Sequence, residues 1–282
     1  MQREIKSKIM DGSKIAAQIL TNLKNEIRMF HEKPKLSVVI VGDNPASLLY
    51  TKMKKKKGEE TGFSVDIHKL PEEIDEKELI AKINEVGYSS NGVLVQLPLP
   101  TRFNQSKILG SIDPLKDVDG LSPLNLGELM LGNEIFVSAT AKAIIRLLET
   151  YHINLEKKDI VIINNSILIG KPLTIMLTNR RAVVTLCHEY TKNLKEHTNH
   201  ADILITGVGK PHYIKKDFVR TGVVIIDVGI SSKGDKVMGD VAIDEVYEKC
   251  LYITPVPGGV GPVTVATLLE NTLKAYKIQK NI

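Results

Sequence analysis

A chain of 282 residues, 43% hydrophobic and 25% charged, has the balance of a globular protein and the length of about two domains. No run approaches the ~18 apolar residues of a membrane span, and the opening residues Met1 to Lys6 lack the apolar core of a secretory signal. Cys187 and Cys250 are too few for a disulfide framework and lack metal-ligand spacing, and a net charge of +5 implies no nucleic-acid partner; the expectation is a cytoplasmic protein with no membrane or metal partner.

In chain order, residues 36–41 (Leu-Ser-Val-Val-Ile-Val) read as a buried strand stopped by Gly42, Asp43, Asn44 and Pro45. A helix should follow, capped near Asn44 with Pro45 in its first turn, and end near Gly62. Residues 63–70 alternate like a strand, 76–86 have helical spacing, and 92–96 form a short buried strand closed by Pro98 and Pro100. After a loop-rich stretch at 113–125, a helix over 140–151 leads to strands at 160–163, 182–187, 203–205 and 223–226, with a helix between the first two. Strand–helix alternation of this kind gives parallel sheets covered by helices. The second series looks like a dinucleotide-binding domain of doubly wound type. A long amphipathic helix over 262–277 ends the chain.

Tyr50 and Lys54 lie four apart, on one helix face beyond the carboxyl end of a parallel strand, where open α/β sheets place ligands. A tyrosine can stack on an aromatic ligand, and a lysine of lowered pKa can move protons. Spacing alone favours the plainer reading, a partly buried tyrosine and one solvated lysine among Lys52, Lys54, Lys55, Lys56 and Lys57. That lysine run is either a solvated face balanced by Glu59 and Glu60 or a surface for a polyanion; no aromatics are interleaved for base stacking. Gln96 at a strand end can hydrogen-bond a ligand or cap a turn. Asp117 and Asp119 belong to an acidic turn with no histidine nearby to make a metal site. Residues 254–262 (Thr-Pro-Val-Pro-Gly-Gly-Val-Gly-Pro) hold three glycines and three prolines, more special backbone chemistry than a plain connector needs.

Seven motifs now stand in order: Tyr50-x-x-x-Lys54, Gln96-Leu-Pro-Leu-Pro, Lys116-Asp-Val-Asp-Gly, Gly209-Lys-Pro, Ile226-Asp-Val-Gly-Ile230, Gly239-Asp-Val and the 254–262 loop. In this order they resemble the bifunctional methylenetetrahydrofolate dehydrogenase/cyclohydrolases (FolD type), over essentially the whole chain from Asp11 and Gly12 to the last helix. The resemblance implies two α/β domains. A folate-binding catalytic domain would take 1–137 plus the terminal helix 262–282 packed back on it, and a Rossmann-type NAD(P) domain would take 138–261. It implies oxidation of 5,10-methylenetetrahydrofolate to the methenyl form and hydrolysis to 10-formyltetrahydrofolate. Lys54 would be central to catalysis, Gln96 would position it, Tyr50 would stack on the aminobenzoate ring, and Asp119 would hold the pterin edge. Gly258, Gly259, Val260, Gly261 and Pro262 would line the folate cleft. Asn164, Asn165, Ser166, Gly170, Glu189, Thr140, Gly207 and Ile230 would serve the cofactor. The lysine run would attract a polyglutamate tail, and the protein would be a homodimer.

Two segments depart from that pattern. Where the family usually has Gly-Arg-Ser-x-x-Val-Gly-x-Pro, residues 164–172 read Asn-Asn-Ser-Ile-Leu-Ile-Gly-Lys-Pro. Asparagine tolerates left-handed backbone, so the turn is expected to survive, but the arginine suited to an NADP 2′-phosphate is missing. Glu189, about 25 positions on, stands near the ~20-residue spacing at which an acid binds the ribose 2′-hydroxyl of NAD. The family default is NADP; these two residues lean towards NAD. Residues 138–143 (Ser-Ala-Thr-Ala-Lys-Ala) keep only Thr140 of the family's Pro-Cys-Thr-Pro-x-Gly. Alternatives are a dehydrogenase with little cyclohydrolase activity, another two-domain Rossmann enzyme, and a non-catalytic folate- or nucleotide-binding relative.

Overall fold

A computed structural model describes residues 8–233 and 236–282. The chain forms two compact units, one comprising Ala16–Ala139 and Val265–Ile282, the other residues 8–15 and Thr140–Thr264.

The first unit holds most of α1 (Gly12–Ile27), whose Ala16, Ile19, Leu23 and Ile27 recur at helical spacing and are buried. Three parallel strands follow, β1 (Lys35–Val41), β2 (Ser64–Leu70) and β3 (Gly92–Val95), in the order β2-β1-β3. Central β1 is buried from Leu36 to Val41, as its unbroken apolar run requires. The crossover helices are α2 (Pro45–Thr61) and α3 (Glu76–Tyr88). Asn44 accepts Ser47 N at 3.0 Å, and Gly62 closes α2 in the left-handed conformation. Helices α4 (Gln105–Gly110) and α5 (Pro123–Met130) follow the last strand. The loop-rich stretch is therefore shorter than the sequence suggests: Ser122 caps α5, and Pro123 to Asn125 are already helical.

The second unit runs from α6 (Ala139–Thr150) through β4 (Asp159–Ile163), α7 (Gly170–Asn179), β5 (Val183–Cys187), α8 (Leu194–Thr198), β6 (Ile203–Thr206) and β7 (Val223–Asp227). A hairpin, β8 (Ser231–Lys233) and β9 (Lys236–Met238), precedes α9 (Ile243–Val246) and β10 (Cys250–Ile253); α10 (Val260–Lys280) passes from this unit into the first. The sheet order is β10-β7-β6-β4-β5, all parallel. Strand order reverses between β4 and β6, the switch point at which doubly wound sheets bind ligands beyond their carboxyl ends. The core is aliphatic, with Val161, Ile163, Leu204 and Ile225 among its buried members, each contributing roughly 1.5–3 kcal/mol through burial.

The first residues join this second unit through a strand-like contact. Ile9 forms a parallel bridge to Ile253, and Met10 N donates to Ile253 O at 2.8 Å. Nothing in the periodicity of 8–11 announces this, because the pairing partner lies at the other end of the chain.

Candidate active site

Lysine 54 projects from the third turn of α2, which follows the central strand of the first unit. Its Nζ donates to Gln96 Oε1 at 2.8 Å. Gln96 stands just past β3; its backbone N–H donates to Val39 O at 2.8 Å, and its Nε2 donates to Leu97 O at 2.7 Å. With the amide nitrogen occupied by that carbonyl, the amide oxygen is the atom that faces Lys54. Burial pulls the Lys54 ammonium below the ordinary lysine range, and the charge of Asp119 opposes that pull. Tyr50, one turn earlier, is half-buried, and burial pushes its phenol up.

Asp119 completes the group. Burial raises its carboxyl to about 6, with Lys54 pulling it down and the neighbouring Asp117 pushing it further up. Its Oδ1 accepts Ala139 N at 3.4 Å, the first amide of α6. The two groups thus each lean towards the uncharged form because they are desolvated, and each is held back by the other.

The loop that delivers Asp119 is pinned at three places. Val93 N donates to Lys116 O at 2.7 Å. Asp117, 1% exposed, accepts Ser122 N at 2.7 Å and Asn125 Nδ2 at 2.9 Å. Asn271, buried on α10, donates from Nδ2 to Val118 O at 2.8 Å and to Val137 O at 3.3 Å, joining the segments on either side of the Asp119–Ala139 contact. Gly120 is left-handed at φ 64°, and a Cβ there would fall 2.6 Å from the Val137 backbone. Ser138 and Ala139 are buried in this frame.

In the second unit, Asn164 stands just beyond β4 at the switch point. The expectation that it survives by left-handed backbone is corrected here: the left-handed non-glycine residues among those described are His152, Lys157, Arg181, Asn193, His212 and Asn281. The asparagine holds the turn with its side chain instead. Oδ1 accepts Ser166 N at 2.9 Å, Ser166 Oγ at 2.7 Å and Gly170 N at 3.2 Å, while Nδ2 donates to Gly207 O at 2.7 Å. One side chain therefore ties the start of α7 to the end of β6. A Cβ at Gly170 would land on Asn164 O, so helix and strand can approach this closely only with glycine.

Asn165 and Glu189 are exposed on the loops after β4 and β5, strands paired through Ile163 and Cys187. Glu189 occupies a turn in which Thr191 N donates to His188 O at 2.9 Å. Thr140 is half-buried at the start of α6, and Ile230, 45% exposed, follows β7. In the 254–262 loop, Gly258 is left-handed and its carbonyl accepts Ser13 N at 3.0 Å. Along α2, Lys57 pairs with Glu60 at 2.8 Å and Lys55 with Glu59 at 3.7 Å, while Lys52 and Lys56 are exposed.

Residues 10–119 match the catalytic domain of tetrahydrofolate dehydrogenase/cyclohydrolase, and residues 138–280 match its NAD(P)-binding domain. The chain belongs to the tetrahydrofolate dehydrogenase/cyclohydrolase family. It is 45% identical to the bifunctional protein FolD of Thermodesulfovibrio yellowstonii over 98% of this chain and 99% of that one. The crystal structure of the bifunctional FolD enzyme from Campylobacter jejuni superimposes with a TM-score of 0.92 at 44% identity, covering 96% of this chain and 99% of that one. The Trypanosoma brucei FolD structure, in complex with NADP cofactor and an inhibitor, gives 0.92 at 31% identity, covering 97% and 98%.

Both domains of the family are thus present, and the chain keeps the family's two-domain α/β fold with parallel sheets. Sequence motifs located Lys54, Gln96 and Asp119, which the catalytic domain brings together. They did not reveal the supports Asn125 and Asn271, since single asparagines carry no signal until their partners are known. Among the described residues no helix is long and apolar enough to cross a membrane.

Proposed function

We propose that Lys54 is the proton-handling group of the folate reaction and that Gln96, Asp119 and Tyr50 prepare it and the substrate. The protein is an NAD(P)-dependent methylenetetrahydrofolate dehydrogenase and methenyltetrahydrofolate cyclohydrolase of one-carbon metabolism. The first reaction removes a hydride from the carbon bridging N5 and N10, leaving a methenyl cation. Water then adds to that carbon and loses one proton, and the C–N5 bond breaks as the remaining hydroxyl proton passes to N5, giving 10-formyltetrahydrofolate.

The observation that carries the assignment is the 2.8 Å bond from a pKa-lowered Lys54 to Gln96. A neutral amine can take the proton that the attacking water loses, and a cationic intermediate beside it favours that neutral form further. Gln96 has one acceptor aimed at Nζ, so it fixes the amine without protonating it. Asp119 accepts hydrogen bonds from the pterin edge, for which a carboxylate is suited at pH values above its raised pKa. Tyr50 stacks on the aminobenzoate ring.

We assign the cofactor to the β4–β6 crevice, the switch point of the sheet, where Asn164 binds the carbonyl of Gly207. NAD(P)+ supplies a hydride acceptor there. Asn164, Ser166, Gly170 and Gly207 form its seat, with Thr140 and Ile230 at the nicotinamide end. Asn165 offers no cation to a 2′-phosphate and Glu189 offers an acceptor to a 2′-hydroxyl, which favours NAD over the family's usual NADP.

Exposed Lys52 and Lys56 support recruitment of a polyglutamate tail. The open sheet edge at β5, with Val183 58% exposed, supports pairing of two copies through the cofactor domain, to be checked by sedimentation equilibrium. Two free thiols, Cys187 and Cys250, suit the cytoplasm.

The decisive experiment follows reduced-nicotinamide formation from 5,10-methylenetetrahydrofolate with NAD and NADP side by side. Turnover is expected with both and faster with NAD. Equal or faster turnover with NADP removes the cofactor assignment, and no turnover with either removes the catalytic one.

A further inference from the structure

Apart from Ile230, the motifs 226–230 and 239–241 take no part in the chemistry assigned above. Their aspartates are sealed from solvent, Asp227 at 3% and Asp240 at 0% exposure. Buried carboxylates survive only when donors surround them. Asp240 accepts Val208 N at 2.5 Å, Lys210 N at 3.0 Å and Thr206 Oγ at 3.1 Å. Asp227 accepts Gly229 N at 2.9 Å, Asp240 N at 3.1 Å and Val241 N at 2.9 Å, and its own N–H donates to Thr254 Oγ at 2.8 Å.

The motifs interlock. A Cβ at Gly229 would land on the Asp240 carboxyl, and a Cβ at Gly239 would land on that of Asp227. Each glycine admits the other motif's acid. The bonds gather the carboxyl ends of β6, β7 and β10 around one buried point. Among the described residues every donor to Asp240 lies within 206–210, the segment that leaves β6 and contains Gly207, the residue Asn164 grips across the switch point.

This arrangement is unfavourable for Asp227. Burial pushes Asp227 up to about 6 against the pull of its backbone donors, and the adjacent Asp240 adds to the push. The aliphatic core of the sheet needs no such pair. Groups kept in an unfavourable state where packing does not require them cluster at functional sites.

We infer that Asp240, steadied by Asp227, is a positioning residue for the nicotinamide cofactor, holding backbone 206–210 in the shape that receives it. The inference rests on the reading of the β4–β6 crevice as the cofactor seat. Its consequence is selective, because hydrolysis of the methenyl compound consumes water and no nicotinamide.

Asp240→Asn preserves shape but turns an N–H2 group towards an amide that Asp240 accepts. Leaving a buried donor unmatched in this way should raise the KM for NAD and NADP about tenfold. The dehydrogenase kcat at saturating cofactor and the hydrolysis of methenyltetrahydrofolate should stay near wild type. Thr206→Val, which deletes one donor to the same carboxyl, should give a smaller shift of the same kind and serves alone if Asp240→Asn does not fold. Gly207→Val probes the seat directly by placing a side chain in the crevice. If it raises the cofactor KM while the other two variants do not, the inference falls and the seat stands. If none of the three moves it, the seat itself is wrong. Equal loss of both activities together with a lowered Tm would mark a folding staple and also overturn the inference.

Discussion

Gln96 and Asn164 occupy corresponding places, each an amide side chain just past the carboxyl end of a parallel strand, yet they are used differently. Gln96 ties its nitrogen to Leu97 O and keeps its oxygen for a side chain, Lys54. Asn164 commits both its oxygen and its nitrogen to the residues around its own turn and to Gly207. The same contrast holds for the acids. Asp119 has one backbone donor and otherwise answers to Lys54, whereas Asp227 and Asp240 are saturated by amides and a hydroxyl. Polarity left over is available for proton chemistry; polarity consumed by backbone sets the shape of a cradle. Lys54, Gln96 and Asp119 follow the first pattern; Asn164, Asp227 and Asp240 follow the second.

The largest effect that would test this contrast is at Lys54. Lys54→Met should lower methenyltetrahydrofolate hydrolysis by about a thousandfold, within the range for loss of a positioned proton acceptor, while leaving the cofactor KM unchanged. A retained hydrolysis rate would place the proton chemistry elsewhere.

Next in size is the cofactor preference. Combining Asn165→Arg with Glu189→Ser supplies a cation and removes an acid, and should move the NADP-to-NAD ratio of kcat/KM about tenfold towards NADP through a charge-assisted contact. Selectivity that does not respond would show that neither exposed residue reads the ribose.

The pH profile sharpens the comparison on the catalytic side. On the proposed role Lys54 acts as the neutral amine, so hydrolysis should rise as pH climbs through its lowered pKa. The Asp119 charge raises that pKa. Asp119→Asn removes the charge, lowers the Lys54 pKa further and should shift the ascending limb to lower pH; the inflection from a carboxyl near 6 should vanish. An unmoved limb would mean that the two groups are not coupled.

The smallest effect concerns the α2 lysines. Lys56→Glu with Lys57→Glu should weaken polyglutamylated substrate more than monoglutamate, by about two- to fivefold at low salt and less as salt is added. Equal losses for both substrates would remove the tail from the account.

Much of this could be read directly. Asn44, Pro45 and Gly62 mark the ends of α2 because capping is local, and the apolar run 36–41 marks a central strand because burial on both faces leaves no alternation. Lys54, Gln96 and Asp119 were singled out by the order of the motifs along the chain, since spacing alone favoured a solvated lysine. The pairing of Ile9 with Ile253 was not legible, since the partner is distant in sequence.

By itself the amino-acid sequence determined the alternation of strands and helices, which depends on local pattern, and the family, which depends on seven motifs in order along the chain. Only the tertiary structure decided what each polar group is paired with. Asn164 holds its turn through side-chain bonds rather than left-handed backbone, Asn271 reaches Val118 across 153 positions, and the Asp227 and Asp240 motifs lock through each other's glycines. A buried polar atom takes its energy and its pKa from neighbours that the folded chain brings within about 3 Å, and sequence order alone does not name them.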